Sequence, residues 1–126
     1  MAQFQTYNPN PKGRNLGDCA IRAICKALDM GWYEAFAALT IEGLNQCDLP
    51  SANSVWGAVL RKHGFERAAI PAECPDCYTV ADFLREYPHG RYVIALNDHV
   101  VAVEDGTLFD TWNSLDQTPL YFWRDK

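Results

Sequence analysis

Three residues of this chain, Cys19, His99 and Asp110, have the types and the order that build an activated thiol. Cys19 lies in Asn15-Leu16-Gly17-Asp18-Cys19-Ala20-Ile21-Arg22-Ala23-Ile24, where a polar, glycine-containing loop turns into an apolar helical pattern. A thiol at a helix N-terminus feels the positive end of the macrodipole, which favours the nucleophilic thiolate. His99 opens one apolar strand pattern and Asp110 closes the next. An imidazole beside the thiol and a carboxylate behind the imidazole supply a proton carrier and its orienting group. Each residue also has a plainer use. Most lone cysteines are small core residues, Asp18 suits an N-cap, and a strand-end His or Asp can simply be solvated. The three together favour a cysteine hydrolase.

The connection between His99 and Asp110 decides whether they meet. Asp105-Gly106 between two apolar runs is the signal of a two-residue hairpin turn. That turn pairs Glu104 with Thr107, Val103 with Leu108 and Val101 with Asp110. Asp110 is then the diagonal neighbour of His99 on one face, with Cα atoms about 7–8 Å apart. A shift of one residue would separate the pair and make Asn113 the orienting group. His63 reads as a cation at a helix C-terminus, and His89 lies in a Pro-His-Gly turn.

The elements that must hold these residues follow from periodicity. A first helix is predicted from about Asp18 to Leu28, with Ile21, Ile24 and Leu28 on one face. A second carries Trp32, Phe36 and Leu39. A third carries Val55, Trp56, Val59 and Leu60 and ends at Lys62-His63-Gly64. Thr79-Val80-Ala81-Asp82 resembles a capping box opening a fourth helix, with Phe83, Leu84 and Tyr87 inward and Pro88 as its stop. Phe65 to Ile70 reads as a short extended piece, and Tyr7 to Gly13 as a loop or arm. Strands are predicted at Tyr92–Leu96, His99–Val103, Thr107–Trp112 and Leu120–Trp123. Helices first and strands after give an α+β domain with a C-terminal antiparallel sheet. Tyr121-Phe122-Trp123 falls to the core or a cleft wall.

At 126 residues the chain is expected to form one domain, 1–126, with a composition of 48% hydrophobic and 21% charged residues that suits a globular protein. The net charge is −5 and no basic run exceeds Arg61-Lys62, which argues against nucleic acid and anionic membrane as partners. No signal peptide or transmembrane segment is visible, so a cytoplasmic location is expected. Five cysteines without an export signal then point to free, catalytic or metal-bound thiols rather than a disulfide framework. Cys74-Pro75-Asp76-Cys77 is a structural loop, half of a zinc site with Cys47 as a third ligand, or a redox pair. No cofactor is implied by the thiol chemistry.

From Asn15 to Trp112 the order of motifs resembles a minimal papain-like cysteine peptidase, and the whole chain looks similar to short proteins of bacteria and their phages. Asp110-Thr111-Trp112 resembles the family's Asn-Ser-Trp segment, which implies that Trp112 shields the hydrogen bond between His99 and Asp110. The resemblance implies a papain-like fold and cleavage of a peptide or isopeptide bond in a peptide or protein substrate. The family usually has an oxyanion-stabilising Gln six residues before the Cys. Gly13 stands there, so the role passes to Asn15, assisted by the Cys19 N–H. Two other uses of such a fold are acyl transfer of the transglutaminase type and a catalytically degenerate binding module.

Overall fold

The computed structural model describes residues 3–125, in the order β1 (Gln3–Thr6), α1 (Cys19–Leu28), α2 (Trp32–Gln46), α3 (Asn53–Lys62), β2 (Phe65–Ala68), α4 (Val80–Glu86), β3 (Arg91–Leu96), β4 (His99–Glu104), β5 (Thr107–Asp110) and β6 (Tyr121–Asp125). The strands form one six-stranded sheet in the order β1-β5-β4-β3-β6-β2. The β1–β5 pair is parallel and the others are antiparallel, so the sheet is mixed rather than purely antiparallel.

Strand alternation divides the core in two. Val93, Ala95, Val100, Ala102 and Trp123 pack with Ala20, Ala23, Ile24 and Ala27 of α1, Leu39 of α2 and Val55, Trp56 and Leu60 of α3. On the opposite side, Ile94, Leu96, Val101, Val103, Leu108 and Phe122 pack with Val80, Phe83 and Leu84 of α4. Three alanines on the buried face of α1 let its backbone approach β4 closely. At Gly57 a Cβ would lie 2.9 Å from the Trp123 ring, so α3 requires a glycine there to seat against the sheet.

The expected α4 capping box is formed: Thr79 Oγ1 accepts from Asp82 N–H at 3.2 Å, and Asp82 Oδ2 accepts from Thr79 N–H at 2.9 Å. On α2 the buried residues are Ala35, Leu39, Glu42 and Gly43, whereas Phe36 turns outward and is 45% exposed. Phe122 and Trp123 belong to the core. The β4–β5 hairpin pairs Glu104 with Thr107, Val103 with Leu108 and Ala102 with Phe109, the register set by a two-residue turn. Asp105 and Gly106 have φ of 49° and 79°, the left-handed pair that such a turn needs.

Among the described residues no helix is long and apolar enough to cross a membrane.

Candidate active site

Cys19 is the first residue of α1, and Asp18 before it occupies the N-cap position. Asp18 makes no side-chain capping bond, contrary to its plain reading as an N-cap. Its carboxylate turns instead to Arg22, whose Nη1 bonds Oδ1, and to Trp32, whose Nε1–H donates to Oδ2 at 3.0 Å. The first-turn N–H groups are therefore left without a side-chain acceptor from Asp18.

His99 begins β4 and Asp110 ends β5, so both stand at one end of the hairpin. Nε2 of His99 lies 2.7 Å from Asp110 Oδ2. This leaves Nδ1 free to serve Cys19, with which His99 interacts so that each stabilises the other's charged form. By alternation His99 and Asp110 share the side of Val101 and Leu108, whereas α1 lies on the side of Val100 and Ala102. The three groups meet because both strands terminate there, letting Cys19 also reach the backbone N–H of Val100. Trp112, 45% exposed, stacks on the His99 ring with centroids 5.1 Å apart. An indole in that position keeps water from one face of the imidazole.

The charges reinforce one another. Burial opposes ionisation of Cys19, but bonding from His99 and Val100 and the positive charges of His99 and Arg22 outweigh it, and the thiol titrates below its ordinary range. Burial likewise opposes the imidazolium, yet hydrogen bonds to Asp110 and Cys19 and their negative charges push His99 up to about 9. Asp110 is 1% exposed. Burial alone would raise its pKa, but His99, Ser114 and the Thr111 N–H bond the anion and hold it lowered. The arrangement can therefore hold a thiolate–imidazolium pair over a carboxylate that stays ionised.

Two residues without a part in the sequence reading complete the surroundings of Asp110. Ser114 is fully buried and donates Oγ–H to Oδ2 at 2.8 Å. Arg22, 5% exposed, places Nη2 3.3 Å from Oδ1 while Nη1 also reaches the Leu16 carbonyl at 3.3 Å. With His99 Nε2 and the Thr111 N–H at 2.7 Å, the carboxylate has four partners, about the number that its lone pairs accept. Arg22 carried a readable signal, a charge three residues after Cys19 on the same helix face. Nothing in the sequence marks Ser114.

Among the described residues, the remaining candidates make no hydrogen bond to this cluster. Asn113 is exposed, and its Oδ1 accepts the Leu115 N–H at 3.1 Å in a local turn. Asn15 is exposed in the loop ahead of α1, and Gly13, with φ of 66°, turns that loop. The expectation of no disulfide is corrected: Cys74 and Cys77 are joined to each other, so neither is a thiolate ligand. Cys47 is exposed at the C-cap of α2. Among the described residues no group of three His, Cys, Asp or Glu could hold a metal ion.

No family model, curated protein or solved structure matches this chain.

Proposed function

We propose that this protein is a cysteine-nucleophile amide hydrolase of papain-like type, acting on a peptide or isopeptide bond. The observation that carries the proposal is the juxtaposition of Cys19 with His99, whose Nε2 lies 2.7 Å from the buried, fully partnered Asp110. In the reaction, Sγ of the thiolate attacks the scissile carbonyl carbon. The oxyanion is taken by first-turn N–H groups of α1 and by the Asn15 amide. His99, protonated at Nδ1, gives that proton to the leaving amine as the C–N bond breaks, and a thioester remains on Cys19. Neutral His99 then takes a proton from water, whose oxygen attacks the thioester and releases the acid and the thiolate. Asp110 holds the imidazole in orientation through both steps, and no cofactor enters.

An activated acyl ester tests this directly. The wild type is expected to accumulate an acyl adduct on Cys19, seen by mass spectrometry and removed by hydroxylamine. His99→Ala should slow acylation by about 10²–10⁴-fold, the usual worth of a positioned proton carrier. Ester turnover that survives Cys19→Ala unchanged would overturn the assignment.

A further inference from the structure

A pocket of about 450 Å³ lies between α3, the end of α2 and the paired strands β2 and β6. Its size falls in the roughly 300–1,000 Å³ range of small-molecule sites. One wall is a single face of α3, where Asn53, Gly57 and Arg61 recur at steps of four. On the other, Arg67 stands directly across from Trp123 in the β2–β6 register, and Tyr121 shares their face by alternation. Arg67 Cζ lies 3.9 Å from the centre of the Tyr121 ring, and Arg61 Cζ lies 5.2 Å from that of Trp123. Contact with a ring face holds a guanidinium electrostatically and leaves its N–H fork for an oxyanion.

The charges here are unanswered. The chain carries −5 overall, and Arg22, Arg85, Arg91 and Arg124 are each paired with a carboxylate. Among the described residues Arg61 and Arg67 have no such partner, and no Asp or Glu lines the pocket. Glu42 and Asp48 bond Gln46 and Ser54 of its rim without lining it, and Glu42 is already paired with Lys62. Trp123 is 3% exposed, and among the described residues its Nε1–H has no acceptor. The adjoining ring edge, Cζ2 and Cε2, faces Gly57 of the opposite wall. An orphaned donor beside two unpaired guanidiniums adds to the demand for an acceptor.

We propose that this pocket binds a small phosphate-bearing ligand, its anion held between Arg61 and Arg67. The site is independent of the thiol chemistry. One guanidinium fork already occupies both oxygens of a planar carboxylate, whereas a phosphate group has a third oxygen for a second fork arriving from another element. A doubly charged phosphate also answers two cations at once. Asn53 and Ser54 open α3 at the same wall, and Ala52 before them makes no side-chain cap, so the positive end of the helix dipole favours the anion too. Two cations enclosed by a helix and a strand suit a small molecule, where a nucleic-acid backbone needs a basic stripe.

The test is calorimetric titration of the full chain with phenyl phosphate at constant ionic strength. Phthalate, a dianion that carries two carboxylates on the same ring, is the comparison. Phenyl phosphate is expected to bind saturably at one site, at least about tenfold more tightly than phthalate. Arg61→Gln and Arg67→Gln should each weaken it about tenfold or more, the worth of a hydrogen bond to a charged group. Both arginines are exposed, so neither loss disturbs the core. Arg14→Gln removes the same charge from a loop residue outside the pocket and should leave binding as in wild type. No saturable binding at millimolar concentration would overturn the proposal, as would binding that survives both pocket substitutions. Equal weakening in Arg14→Gln would reduce the effect to overall charge and overturn the site. Phthalate bound as tightly as phenyl phosphate would overturn the phosphate assignment.

Discussion

Asp110 is the residue on which the site's electrostatics turn. A carboxylate this deep would ordinarily be driven toward its neutral form, and its four donors reverse that. Asp110→Ala is therefore expected to lower turnover by roughly one to three decades, less than the ~10⁴ seen for the equivalent loss in a serine triad. A thiolate–imidazolium pair formed before substrate binds needs less help from its third member. Asn113→Ala should stay near wild type, because its side chain only closes a local turn. The opposite order on one substrate would show Asn113 to be the orienting group. The pH profile carries a second expectation. His99 titrates at about 9, so the alkaline limb of kcat/KM should fall near that pH. Removing the adjacent anion destabilises imidazolium, so Asp110→Asn should move this limb to lower pH. A limb that stays in place would show that Asp110 does not set the charge of His99.

At the scale of elements, the β4–β5 hairpin fixes the register that brings His99 to Asp110. Gly106 holds φ of 79°, and a Cβ there would meet only the Pro88 carbonyl at 3.7 Å, so its substitution is strained by backbone rather than by space. Gly106→Ala should cost about 1–2 kcal/mol, the penalty of a left-handed L-residue. Urea unfolding should show it as a lower midpoint with an unchanged slope, and a wild-type midpoint would mean that the turn relaxes freely. This hairpin was legible in the sequence because turn chemistry is local: Asp-Gly dictates the loop and the loop dictates the pairing. The α4 capping box was legible for the same reason. β1 was not, since Gln3-Phe4-Gln5-Thr6 has one apolar residue and becomes a strand only by lying parallel to β5, a partner about a hundred residues away. The face of α2 was misread through its large residues. Trp32, Phe36 and Leu39 fit helical spacing, but it is Ala35 with Leu39 that packs inward, and Phe36 is left 45% exposed. The burial of Phe122 and Trp123 followed their apolar pattern.

Across the whole molecule, Arg22 is the strap between the helical layer and the sheet. It rises from α1, bonds Asp18 beside it and reaches Asp110 on β5. Arg22→Ala would leave two buried carboxylates short of their cation, a loss of about 3–5 kcal/mol where total stability is typically about 5–15 kcal/mol. Thermal melting should show a large drop, and a melt like wild type would mean that solvent replaces the strap. Stability should also depend on pH in two windows. Asp110 has a lowered pKa, so its contribution is present above the unfolded value near 3.9 and is lost as pH falls through the folded one. His99 has a raised pKa, so its contribution is full below about 6.5 and is lost as pH rises through about 9. The alkaline loss of melting temperature should therefore be smaller in His99→Ala than in wild type. The sequence hinted at this strap only as a charge in an apolar helix. Its partners lie on another element, and the sequence pattern of neither element names the other.

The pH dependence of Cys19 alkylation by iodoacetamide, followed residue by residue in wild type and His99→Ala, tests the central claim most directly. A thiolate held by imidazolium titrates below the ordinary thiol value of about 8.5. Wild-type Cys19 is expected to react with a midpoint below that value and ahead of exposed Cys47 at mildly acidic pH, while His99→Ala moves the midpoint upward. A wild-type curve that coincides with those of Cys47 and of His99→Ala would contradict the account.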